Sequence, residues 1–214
     1  VGKLQSLLGN LEEYYKNCGF ELKHGDFKAA WNQFLISMET AENLHDIEIS
    51  YKTVKKEFAS IPINKPEQPL QVGVIGEYFT AVDAFSNLNL EQKIADMGVE
   101  VHRWMSVTNR NLHYHGKNLS VGIKDYCRYE MGPTSTANIW CAKYYASHGF
   151  DGIIHAKSAG CTPEIDIMPV LQNISFDYKV PILYLSYDSQ TSDTGLDTRL
   201  EAFYDMIHMR KKEI

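Results

Sequence analysis

Residues 151 to 169 read DGIIHAKSAGCTPEIDIMP, and the order of elements in this stretch decides the fold. The apolar run at 152–155 has the length of a buried strand. A Ser-Ala-Gly-Cys loop follows, in which Gly160 permits a tight turn. Thr162 and Pro163 then read as a helix start, with Thr as N-cap and Pro at the first helical position. Cys161 therefore falls where a strand hands over to a helix. In open α/β sheets, ligands bind outside the carboxyl ends of the strands. The sequence thus poses a chemical question: whether this thiol is a ligand, a nucleophile or packing.

Working outward, the same alternation recurs beyond Pro69. Strands are expected at 70–75, 99–104 and within VPILYLS at 180–186. Helices are expected at 88–97, closed by Gly98, and at 134–148, between Pro133 and Gly149. A last helix carries Leu196, Leu200, Phe203 and Ile207 on one face. Pro169 would forfeit a bond inside a helix, so a short turn after Cys161 and a fresh helix from Pro169 are expected. Strands spaced by helices imply a parallel sheet with right-handed crossovers. The reading is an α/β protein, an open parallel sheet of Rossmann/flavodoxin-like type with helices on both faces, over residues 69–214. Residues 1–68 read as a helical segment and linker. Phe27, Trp31, Phe34, Leu35, Met38 and Ala41 repeat at three- and four-residue steps, as do Ile47, Tyr51, Val54 and Phe58. The linker SIPINKPEQP contains three prolines. The start at Val1-Gly2, without an initiator Met, suggests a piece cut from a longer polypeptide. The polar, aromatic segment 106–131 receives no assignment.

Composition narrows the function classes. The chain of 214 residues has 21 basic and 27 acidic side chains, a formal net charge of −6. It therefore lacks the cationic excess that nonspecific nucleic-acid binding needs. No apolar run reaches the roughly 18 residues of a membrane span. Cys18, Cys127, Cys141 and Cys161 are scattered without a Cys-x-x-Cys pair, which favours a reduced, cytoplasmic setting over a disulfide framework. No Walker A loop, G-x-G-x-x-G or G-x-S-x-G is present. Three strand-end loops, GEYFT from Gly76, HAKSAGC from His155 and SYDSQTSDTG from Ser186, would emerge on one edge of the sheet. Cys161 is the candidate thiol there; Cys127 is a second, loop-borne one, while Cys18 and Cys141 read as packing. His155 is the one obvious base should Cys161 act as a nucleophile. His113 and His115 have the spacing of two imidazoles on one strand face and read as a solvated loop.

The C-terminal half resembles a known family. GFDGIIHAKSAGCTPEIDIMPVLQNIS and VPILYLSYDSQTSDTGLDTRLEAFYDMI are similar to the 2-hydroxyacyl-CoA dehydratase superfamily, in particular its acyl-CoA dehydratase activase-related branch. VGVIGEYFTAVDAFSNLNLEQKIADMGVEV fits the same branch, so the resemblance covers residues 71–207. It rests on Cys161, Pro163 and Glu164, then on Asp188, Thr191, Gly195, Thr198, Arg199, Leu200, Glu201, Ala202 and Phe203. The resemblance implies an iron–sulfur redox protein, with a [4Fe–4S] cluster ligated by Cys161 and Cys127 as its helper. Members pass one electron to an acyl-CoA so that a ketyl radical can lose its hydroxyl group, and an ATPase activator injects that electron. Glu77, Ser158, Gly160, Glu164, Asp188 and Thr191 would line the rim and hydrogen-bond a cluster or thioester. Remaining ligands would come from the rest of the chain or from a dehydratase or ATPase activator subunit. The other expectation is a non-catalytic binding or assembly domain that docks on such a subunit.

Overall fold

The computed structural model describes residues 12–106, 109 and 116–212. The expected α/β architecture is present. Four parallel strands, β1 (Leu70–Gly76), β2 (Val99–His102), β3 (Gly152–Ser158) and β4 (Ile182–Tyr187), form one sheet in the order β2-β1-β3-β4. The helices before it are α1 (Glu12–Asn17), α2 (Asp26–Glu39) and α3 (Leu44–Ser60). Between and after the strands come α4 (Tyr78–Val82), α5 (Leu90–Asp96), α6 (Gly116–Gly122), α7 (Pro133–Ser147), α8 (Thr162–Asp166), α9 (Met168–Tyr178) and α10 (Asp193–Lys212). The break between α8 and α9 is the one Pro169 calls for. Boundaries differ in places from the sequence reading: β2 ends at His102, two residues short of the expected Trp104. Strand β3 continues three residues past His155, and the N-cap is Cys161 rather than Thr162.

Both sheet faces are covered, as an all-parallel sheet requires. On one face Val72, Val74, Ile154 and Leu185 pack with Leu90 and Ile94 of α5 and Leu196, Leu200 and Phe203 of α10. On the other, Ile75 and Ile153 pack with Ile139 and Tyr145 of α7 and Leu171 and Ile174 of α9. Bare backbone lets these layers approach closely. A Cβ on Gly73 would lie 2.2 Å from the Tyr145 ring, and one on Gly152 would lie 2.6 Å from Phe203.

The helical segment shares the first of these cores. Tyr14, Cys18 and Phe27 are buried in the cluster that contains Val99 and Val101 of β2. The Tyr14 ring stands 5.5 Å from Trp31 and 5.4 Å from Phe58, so α1, α2 and α3 converge on it. Farther out, Phe34, Tyr51 and Val54 close the α2–α3 pair. Asn43 caps α3 through its side chain, accepting from the backbone of His45 and Asp46. Leu35, which the periodicity assigns to the inner face, is 43% exposed.

The Pro-rich linker is anchored rather than loose. Glu21 and Ile63 form an antiparallel bridge. Lys65 reaches across to the sheet, its Nζ 2.7 Å from Glu100 Oε2 and 2.6 Å from the Lys16 carbonyl. Burial pushes the Glu100 carboxyl up, but hydrogen bonds from His102 and Lys65 outweigh that, and it titrates at about 2 instead of 4.5. A carboxyl lowered on folding stabilises the protein above its unfolded value, and the contribution is lost as pH falls through the folded one. Glu100→Gln is therefore expected to lower stability at neutral pH and to flatten its decline between pH 4.5 and about 2. Urea denaturation midpoints across that range check this.

Candidate functional site

The strand order makes a crevice at the carboxyl edge between β1 and β3. The chain leaves β1 toward α5, on the first face, and leaves β3 toward α9, on the second. Diverging loops at such a switch point open the groove in which this kind of sheet binds ligands. Every loop nominated from the sequence, after β1, β3 and β4, emerges on this edge.

Directly beneath the crevice lies a buried polar network. Asn138, on α7, spans it with one carboxamide. Its Oδ1 accepts the Gly76 N–H at 3.2 Å, and its Nδ2 donates to the Gly76 carbonyl at 2.7 Å and to Glu164 Oε2 at 2.9 Å. The same Glu164 oxygen is 2.8 Å from His155 Nε2, and Ser135 Oγ is 3.4 Å from Oε1. His155 and Asn138 are both 0% exposed and Glu164 is 1% exposed. A carboxylate so deeply buried is tolerable when its oxygens are matched by donors and partners in this way.

Each residue nominated from the sequence has a definite place. Glu77 leads from β1 and caps α4, its carboxylate accepting from the backbone of Phe79 at 3.0 Å and of Thr80 at 2.8 Å. Burial raises its pKa, but the hydroxyl and backbone of Thr80 and the backbone of Phe79 draw it below the usual carboxylate value. Ser158 is exposed at the end of β3, and its carbonyl accepts the Cys161 N–H at 3.1 Å, closing the turn. Gly160 sits in that turn without a positive φ, and a Cβ there would meet nothing within 4 Å. The turn therefore has no conformational need for glycine. Glu164 lies below the rim in the buried network and does not face solvent. Asp188 and Thr191 bind one another across the loop after β4: Thr191 Oγ1 accepts the Asp188 N–H at 2.9 Å and stands 3.2 Å from Asp188 Oδ1.

The cysteines separate by environment. Cys161 is partly exposed at the start of α8. Cys127 is partly exposed as well, packs beside the second core, and donates to the Tyr129 carbonyl at 3.0 Å. Burial pushes the thiols of Cys141 and Cys18 up, with Gln92 partly offsetting it at Cys18. A [4Fe–4S] cluster takes four thiolates, or three and an oxygen donor. Among the described residues, no three His, Cys, Asp or Glu side chains are grouped as ligands. The described part of this chain therefore does not fit a complete cluster. Among the described residues, His155 makes no hydrogen bond to Cys161: its Nε2 pairs with Glu164 and its Nδ1 is buried without a partner. His113 and His115 lie outside the described residues.

Sequence reasoning missed Ser135, Asn138 and Lys157. A signal existed for the last: in an otherwise apolar buried strand, His155 and Lys157 stand two apart, on one face. Ser135 and Asn138 are three apart on a helix, hence neighbours, but the pairing of Asn138 with β1 and of both with Glu164 is set by tertiary packing alone.

A cavity of about 540 Å³ opens beyond the carboxyl end of β2, lined by residues that follow β1 (Val82, Ala84) and β2 (Arg103, Trp104, Ser106) and by α1, α2 and α7. Trp31, Trp104 and Trp140 wall it, with Lys16 and Arg103 at its margin. Arg103 is tied to Glu91 at 2.8 Å. No helix among the described residues is long and apolar enough to cross a membrane. No protein-family model matches the chain, and no curated protein aligns with it as a relative.

The network generates a first test of the site. Asn138→Ala would leave the Gly76 backbone and the Glu164 carboxylate short of partners in a dry interior, at a cost of about 3 kcal/mol. Urea unfolding should register that loss, and hydrogen exchange should find the Gly76 amide newly labile while amides at the base of β1 keep their protection.

Proposed function

We propose that this domain is one half of an iron–sulfur redox centre serving a 2-hydroxyacyl-CoA dehydratase system, with Cys161 as the ligand it contributes. The observation that carries the reading is the position of Cys161. It is a partly exposed thiol at the carboxyl end of a central strand, on the switch-point edge where this fold receives ligands. The motif around it, Cys161, Pro163 and Glu164, is also the core of the family resemblance. Since the described residues do not group a third ligand with it, the rest of the coordination comes from elsewhere in the protein or from a dehydratase or activator subunit. Ser158, Gly160, Asp188 and Thr191 would then hydrogen-bond the cluster or thioester from the same edge, with Glu77 on the β1 side. On this reading the domain takes part in delivering an electron to an acyl-CoA.

A second reading, a non-catalytic docking domain, is favoured by apolar exposure at the same end of the sheet. Phe79 is 64% exposed just after Glu77, Phe85 is 89% exposed, and Ile165 is 43% exposed within α8. Large apolar side chains around a functional edge are what a contact with another surface leaves open.

One experiment separates the two. The chain, and its Cys161→Ala and Cys127→Ala variants, are reconstituted anaerobically with iron and sulfide in excess small thiol, which can fill coordination positions the protein lacks. The redox reading expects about four irons and four sulfides per chain with a brown chromophore, lost in Cys161→Ala and retained at least in part by Cys127→Ala. Equal iron in wild type and Cys161→Ala, or none in either, overturns it and leaves the docking reading.

A further inference from the structure

Lys157 is the single lysine of the described residues that is buried, at 4% exposure, and it has no acidic partner. The partly buried lysines that hold the fold together behave differently. Lys65 lies 2.7 Å from Glu100, Lys93 2.5 Å from Asp197, Lys143 2.8 Å from Asp125 and Lys211 2.9 Å from Asp151. Among the described residues, the Lys157 ammonium has only the Ser158 carbonyl, at 3.5 Å, the outer limit of a hydrogen bond. An ammonium taken from water without a counter-charge is strongly unfavourable. Its surroundings sharpen the point. On the same sheet face, one step back along the strands, His155 Nδ1 and the Tyr184 hydroxyl are buried without a hydrogen-bond partner. Desolvation by burial pushes the Tyr184 phenol up to about 12.

We propose that Lys157 and Ser186 form a carboxylate-binding site at the carboxyl end of β3 and β4. Ser186 is the register partner of Lys157 across the parallel ladder, so the two side chains share a face, and it is exposed. One ammonium and one hydroxyl present two donors to the two oxygens of a carboxylate. Charge matching selects a singly charged group. One unpaired cation neutralises one negative charge, whereas a phosphate dianion would keep an excess beside Asp188, which follows β4 directly. Glu77 and Asp188 do not compete for the ammonium, since each carboxylate is held in its own loop. The Ser158 carbonyl accepts both from Lys157 and from the Cys161 N–H, so the bound group lies next to the Cys161 turn. The inference stands on the buried cation and not on the iron reading.

The test is a titration of the isotopically labelled, iron-free chain with acetate at constant pH and ionic strength, followed by amide shifts, with chloride and inorganic phosphate as comparison anions. Acetate is expected to produce saturable shifts at Ser158, Gly160, Cys161 and Ser186 and to raise the melting temperature. Lys157→Met should lose both responses while melting no lower than wild type in chloride, because it removes an uncompensated charge. Ser186→Ala should weaken acetate binding about tenfold. Should Lys157→Met not fold, Ser186→Ala and a charge-keeping Lys157→Arg carry the test, the latter retaining the response. Identical shifts with acetate and chloride, or saturation by phosphate alone, overturn the proposal. Cys161→Ala should keep the acetate response, so a failed iron reconstitution and a failed carboxylate site are read separately.

Discussion

The carboxyl edge of the sheet depends on the carboxamide of Asn138. Strand β1 ends at Gly76. The next amide, Glu77 N–H, still donates to the Ala156 carbonyl at 2.9 Å, but the N–H and carbonyl of Gly76 itself find their partners off the sheet. A Cβ at that residue would lie 1.8 Å from the Ala156 carbonyl, so the strand end and β3 approach as closely as bare backbone allows. Asn138 satisfies both backbone groups of Gly76 and, with its remaining N–H, holds the Glu164 carboxylate. One side chain on α7 thereby joins the end of β1 to the first turn of α8. His155 adds the tie to β3. The position of Cys161, three residues before Glu164, follows from this clamp and not from any bond its own thiol makes.

The opposite edge of the sheet is held by charge. Asp151, just before β3, accepts the Gln71 N–H at 2.8 Å and pairs with Lys211 at 2.9 Å, and Lys211 also reaches the Pro69 carbonyl at 2.7 Å. The start of β1, the start of β3 and the end of α10 meet in that cluster. Lys65 and Glu100 perform the same service between the linker and β2. With the amino ends of the strands bound in this way, the sheet has a rigid base, and its polar, partly exposed groups gather at the other end. Sites built on such a base hold their geometry better than sites on free loops.

Much of this was legible in the sequence because the elements obey local rules. The strands are short apolar runs, Pro133 opens α7, and Pro169 forces the break between α8 and α9. The rim was legible too, since a parallel sheet sends every strand-end loop to one edge. What was not legible depends on pairings distant in sequence. Glu164 reads as a rim residue because it follows a helix start, yet Asn138 and His155 draw it inward. Cys161 takes the N-cap position because the helix begins one residue earlier than Thr162 suggests, a shift beyond the resolution of capping rules. Gly160 reads as a conformational requirement, but the turn it occupies is closed by the Ser158 carbonyl without a left-handed residue.

The polar groups beneath the rim divide into two sets, and the division has a physical meaning. On the β1 side, the buried Gly76, Asn138 and Glu164 groups are matched by one another. On the β3–β4 side, Lys157, His155 Nδ1 and Tyr184 are under-satisfied, and Tyr187 is similarly unpaired on the other face of β4. Both sets lie within the last few residues of the strands, the first closed off from solvent and the second bordered by the exposed Ser158 and Ser186. Matched groups serve the fold: replacing any one of them strands the others. Unmatched groups weaken the fold, and an apolar side chain at Lys157, beside His155 and Tyr184 on the same face, would avoid that cost. On the carboxylate-site proposal, the cation kept there is matched by an arriving negative charge, which concentrates the recognition capacity of this edge between β3 and β4, beside Cys161.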